Sequence, residues 1–193
     1  MFLDESGINS KLGQRTHGWG EKGKVLQAKV KSGRAENLSL LPALTIDGYM
    51  AIAVYRGGVN AEQYEDFVKT QVLPKCSCWP GPRSILIIDN CKIHHETVYF
   101  SAKFFSNYQE TTNVQEIIER AGCKCEFLPP YSPDFNPIEY SFSVIKKHFK
   151  HDGGITGDED IMELAEKAIK IAKQVVTAEM AINQFRHCRI QVD

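Results

Sequence analysis

At 193 residues, 42% hydrophobic and 24% charged, the chain is long enough for one well-buried globular domain with a helical appendage. No run approaches the roughly 20 apolar residues that cross a bilayer, and Asp4-Glu5 follow Met1-Phe2-Leu3 at once. A membrane span and the apolar core of a secretion signal are both excluded, and the chain reads as intracellular. The net charge of −1 removes the basic excess with which a protein grips a duplex unaided, so any hold on nucleic acid must come from a local face or from metal ions.

Phe2 to Ser6 reads as a strand breaking at Gly7. From Gly7 to Gly33 glycines and lysines dominate, which predicts a loop with a short strand at Val25 to Val30. Leu38 to Ile46 and Tyr49 to Tyr55 are apolar runs around Asp47-Gly48, a two-residue hairpin signal, and should pair antiparallel. Asn60 can cap a helix from Ala61 to about Leu73, with Tyr64, Phe67, Val68 and Val72 on one stripe. Ser84 to Asp89 is a continuous apolar run ending in an acid, the mark of a central strand covered on both faces. Val114 to Ala121 predicts a helix closed by Gly122, and Cys123 to Leu128 the next strand. Asn136 opens a helix to about Lys150, and Asp158 or Asp160 opens a last one to about Phe185. A three-stranded meander followed by strand–helix units predicts an α/β domain with a mixed sheet, antiparallel in its first three strands and parallel afterwards, flanked by helices.

Three acids stand at the ends of these elements. Asp89 closes the buried strand, where ligands gather in open α/β sheets, although Asp89-Asn90 also suits a plain Asx turn. Asp4 and Glu5 face opposite ways along their strand, so only one of them can join Asp89. Glu139 is third in its helix behind Asn136 and Pro137, which equally suits the reciprocal partner of a capping box; Asp134 is the alternative third acid. The cysteines include two C-x-C pairs, Cys76/Cys78 and Cys123/Cys125, whose spacing does not suit zinc and reads as reduced thiols.

Leu3-Asp4-Glu5-Ser6-Gly7, Arg15 with Gly18-Trp19, Ile88-Asp89-Asn90 with His94, and the run Leu128-Pro129-Pro130-Tyr131-Ser132-Pro133-Asp134 continuing through Asn136-Pro137 to Glu139 resemble the DDE catalytic domain of Tc1/mariner and IS630-type transposases. The resemblance implies a ribonuclease-H-like fold. It implies that Asp4, Asp89 and Glu139 hold two Mg²⁺ or Mn²⁺ ions, which activate water or a DNA 3′-hydroxyl against a phosphodiester. It implies DNA as partner, both transposon ends and target, with a homodimer as an assembly it allows and the nucleus as location in a eukaryote, the cytoplasm otherwise. Asn90, His94 and Asn136 would stand behind the metals or face substrate. Lys146 and Lys147 follow Glu139 on one helix and can meet phosphates, or form a solvated face. Arg15 and Trp19 can contact DNA, while packing under the loop is the more ordinary fate of a tryptophan.

The chain departs from the family in two ways. The family begins with helix-turn-helix modules, and only Met1-Phe2-Leu3 precede Asp4. Sequence-specific end binding is therefore not expected. Residues 1–193 read as a single catalytic domain, with 151–193 a C-terminal helical extension. The alternative is a truncated or domesticated remnant kept as an inactive interaction module. In addition, 49 residues separate Asp89 from Glu139, more than the family usually shows. The excess is placed at Val98 to Thr112, as a protruding loop or helix that leaves the acids together, since surface insertions cost little.

Overall fold

The computed structural model describes residues 1–9, 19–23, 37–89, 114–151 and 160–192. Strands β1 (Phe2–Leu3) and β2 (Ser6–Asn9) are one extended run interrupted at Asp4-Glu5, and both pair antiparallel with β3 (Asn37–Thr45). The first strand therefore does not break at Gly7, which pairs with Ser39 inside the ladder; the interruption falls on the two acids. The short strand expected at 25–30 and the insertion at 98–112 lie outside the described residues. β3 and β4 (Gly48–Arg56) form the expected hairpin. At its turn the Thr45 hydroxyl accepts from Asp47 N–H at 3.2 Å and donates to Gly48 O at 3.0 Å.

Asn60 caps α1 (Ala61–Phe67) reciprocally with Gln63, at 2.8 and 3.1 Å. The helix then widens into a π-turn at Val68–Val72 and tightens over Leu73–Lys75, two residues past the expected end. Tyr64, Phe67, Val68 and Val72 are fully buried, as one helical stripe requires. β5 (Ile85–Ile88), α2 (Val114–Arg120), β6 (Lys124–Phe127) and α3 (Pro137–His151) follow the sequence pattern within a residue or two. The last expected helix is two, α4 (Ile161–Val175) and α5 (Ala178–His187). Val176 leaves helical geometry, and the Thr177 hydroxyl accepts from Met180 N–H at 3.3 Å to cap a new start.

The sheet runs β4-β3-β1/β2-β5-β6, with β1, β5 and β6 parallel, the mixed order that the element sequence predicts. Alternate residues feed two cores. On one face Leu3, Leu41, Leu86 and Ile88 pack against Phe67 and Val72 below α1 and against Ile118 of α2. On the other, Phe2, Leu38, Leu40 and Leu44 meet Ile138, Phe142, Ile145 and Phe149 of α3, joined by Leu164, Ile171 and Phe185 from α4 and α5. Each such side chain contributes roughly 1.5–3 kcal/mol by leaving water. The face under α3 is the one that matters for the site.

Candidate active site

Two strand ends bring the first acids together. β1 and β5 run parallel with Phe2 opposite Ile87 and Leu3 opposite Ile88, so the next residues, Asp4 and Asp89, leave the sheet side by side on strands about 4.8 Å apart. Phe2 and Ile87 belong to the face covered by α3, and side chains two residues on return to that face. Glu139 stands in the first turn of α3. Asp4, Asp89 and Glu139 together line a cleft of about 390 Å³, closed by Leu128 to Pro133 and by Asn136. Glu5 is not among the lining residues, in keeping with the period-two reading.

Asp4 is the buried member, 6% exposed. Burial first, then the neighbouring Asp89 carboxylate, and to a smaller extent Glu139 and Glu5, push its carboxyl up to about 7, against the pull of a hydrogen bond from Glu5 N–H. Glu5 N–H donates to Oδ1 at 2.7 Å and the Asn136 amide donates from Nδ2 to Oδ2 at 2.8 Å. Each Asp4 oxygen thus receives one protein hydrogen bond and retains a further lone pair. Nearby, the Tyr49 hydroxyl donates to Ser141 Oγ, and the Ser141 hydroxyl donates to Ile138 O at 2.6 Å, tying α3 to the hairpin. Burial, with the negative charge of Asp4 adding to it, raises Tyr49 well above its ordinary range and keeps it a neutral donor.

The capping box that competes for Glu139 does not form. Asn136 N–H donates to Pro133 O at 2.9 Å rather than to the Glu139 carboxylate, and the Asn136 side chain is turned to Asp4. Asp134, in the short 3₁₀ turn Pro133–Phe135, is exposed and does not line the cleft. Lys146 and Lys147 lie on α3 outside the cleft; Lys146, seven residues after Glu139, follows it along one side of the helix. Trp19 is fully exposed, not packed under a loop, and stands away from the cleft lining. Arg15, Asn90 and His94 lie outside the described residues.

One lining residue escapes sequence reasoning. Tyr131 is fully exposed at the cleft, with φ +57°, a left-handed backbone that a bulky side chain seldom adopts. Phe135, four residues on, is 51% exposed. The available signal was an aromatic residue set between prolines, in a turn with no apolar period to bury it.

The donors suit a hard divalent cation: carboxylate oxygens and an amide, with no thiol or imidazole among the described cleft residues. Among the described residues no three acids stand close enough to enclose a single ion. The five described cysteines are free thiols, and burial pushes Cys76 up to about 11 and Cys125 up to about 12, so both stay protonated at neutral pH.

The fold is shared with solved transposase structures. A Mos1 transposase paired-end complex with left transposon end superposes with a TM-score of 0.65 at 17% identity over 97% of this chain and 51% of that one. A pre-cleavage Mos1 transpososome gives 0.64 at 16% identity over 97% and 52%. The Mos1 catalytic domain with Raltegravir and Mn gives 0.58 at 14% identity over 97% and 76%. The chain thus spans about half the length of the first two, and the likeness shows the ribonuclease-H-like fold. No curated protein matches the sequence. The model of the DDE superfamily endonucleases matches residues 1–161, a span that holds every strand among the described residues and all three acids of the cleft. The chain belongs to the DDE superfamily endonucleases.

Proposed function

We propose that this chain is the catalytic domain of a Tc1/mariner or IS630-like transposase, cutting phosphodiesters and joining 3′-hydroxyl ends to target DNA. The observation that carries the reading is the buried Asp4 carboxylate beside Asp89 on the neighbouring strand, with Glu139 across the same cleft. Two Mg²⁺ or Mn²⁺ ions, when bound, would supply activation of the attacking hydroxyl and stabilisation of the leaving oxygen. Asp4, with a lone pair left on each oxygen, and Asp89 and Glu139 in the same cleft are the residues that would hold them. Burial is the main cause of the rise of Asp4 to about 7, and the repulsion from Asp89 and Glu139 that adds to it is what a divalent cation would relieve. Tyr131 offers a flat, exposed face to a base at the edge of the cleft. Mos1 structures with Mg and with Mn support the choice of cation. Transposon ends are the proposed substrate, a homodimer the proposed assembly, and the compartment that holds the genome the proposed location.

The test is Mg²⁺-dependent nicking of supercoiled plasmid by the 193-residue chain. Asp89→Asn should lower the rate by on the order of 100-fold or more, with unchanged far-UV circular dichroism. Nicking that persists in this variant removes Asp89 from the mechanism, and a wild-type chain inert on DNA favours the inactive remnant.

A further inference from the structure

We infer that Asn136 is a positioning residue of the cation site, its amide oxygen accepting a hydrogen bond from a water molecule of the hydrated cation that Asp4 holds. The inference rests on the metal-dependent reading above and concerns a side chain that makes no contact with the reacting atoms. Asn136 is 3% exposed and lines the cleft. Its Nδ2 donates to Asp4 Oδ2 at 2.8 Å, while its Oδ1 is buried with no hydrogen-bond partner. Once Asp4 is ionised, as at pH 8 or with a cation bound, it only accepts, so the amide nitrogen faces it and the amide oxygen is turned away. A buried carbonyl oxygen without a donor costs about 1–3 kcal/mol.

The same side chain forgoes a second local gain. Asn136 directly precedes α3, where an asparagine oxygen would ordinarily accept a backbone N–H from the first turn and contribute about 0.5–2 kcal/mol. Glu139 N–H is bonded instead to the Asn136 backbone carbonyl at 3.2 Å. A buried oxygen that forgoes even its local N–H partner, beside one acid, points to a donor that arrives with the ligand. The cleft wall supplies little: Pro129, Pro130 and Pro133 line it and carry no N–H. Water is the donor of the right size, and water on a divalent cation is the stronger donor because the ion polarises it. Asn136 would then join Asp4 and the cation's hydration shell through one rigid amide, fixing the carboxylate's rotation on one side and the shell on the other.

Mn²⁺ titration calorimetry at pH 8 without DNA, paired with thermal unfolding with and without Mn²⁺, tests this. Asn136→Leu keeps the shape and removes both polar atoms. It should bind Mn²⁺ about 10- to 100-fold more weakly and show a smaller cation-induced rise in Tm, whatever the lost hydrogen bond to Asp4 does to Tm without cation. Asn136→Ala should show the same loss of affinity, so the outcome does not hang on one variant's folding. Unchanged Mn²⁺ affinity in both variants, whatever their Tm, overturns the inference and leaves Asn136 a structural brace. A wild-type chain that binds no Mn²⁺ overturns the metal-dependent reading and the inference with it.

Discussion

Asp4 has lost nearly all its contact with water and gained two hydrogen bonds in return, from Glu5 N–H and from Asn136. Its carboxyl titrates near 7 against an ordinary 3.8, because burial and the Asp89 charge outweigh those bonds. The folded chain therefore holds a proton between about pH 4 and 7 that the unfolded chain has released, and stability from this group must fall as pH rises through that window. Three pH units correspond to roughly 4 kcal/mol at full size. Urea unfolding of the cation-free chain at pH 5 and pH 8 should show this loss in wild type and not in Asp4→Asn, and Mg²⁺ at pH 8 should restore wild type alone. Equal pH slopes in the two proteins would refute it. That only one of Asp4 and Glu5 enters the cleft was readable from the alternation of a strand, a property of adjacent residues, while the choice of Asp4 came from the resemblance. A place for Asn136 behind the metals came from the family resemblance alone: its partner Asp4 lies 132 residues away, and the local pattern pointed to a helix cap.

Between elements, the least legible feature is the break between α4 and α5. Continued as one helix from Leu164, Ala181 and Phe185 would sit about 100° and 60° off the Leu164–Ile171 stripe, so the apolar period itself carried the signal of a restart at Thr177. The break is where the helices meet the hairpin. Gly48 has φ +100°, and a Cβ there would lie 2.8 Å from the Val176 carbonyl oxygen, a backbone atom that cannot swing aside. Asp47-Gly48 announced the turn but not this contact. Gly48→Ala should thus carry both backbone strain and a clash, about 2–4 kcal/mol in chemical denaturation. Gly57→Ala, with φ +79° and open space around it, should carry strain alone, about 1 kcal/mol. Equal losses at the two positions would show that the packing of Val176 on Gly48 adds nothing.

At the scale of the whole molecule, the mixed character of the sheet, antiparallel first and parallel afterwards, was legible from a meander followed by strand–helix units, while the order that puts β1 beside β5 is seen in the structure. That order alone sets Asp4 beside Asp89. How the proposed DNA substrate would be held was less legible, since a net charge of −1 offers no general attraction. Lys146 and Lys147 on α3 continue from Glu139 toward the helix C-terminus, where phosphates leaving the cleft would pass. The chain should therefore bind duplex DNA weakly, in the range of about 10⁻⁴–10⁻⁶ M at physiological salt, with little preference among sequences. Each phosphate contact contributes about 0.9 to the slope of log affinity against log salt, so the double variant Lys146→Ala/Lys147→Ala should flatten that slope by about 2. Fluorescence anisotropy across a salt series reads both quantities. A slope that does not change would make the two lysines an ordinary solvated helix face, and nanomolar, sequence-selective binding by wild type would require a recognition surface other than α3.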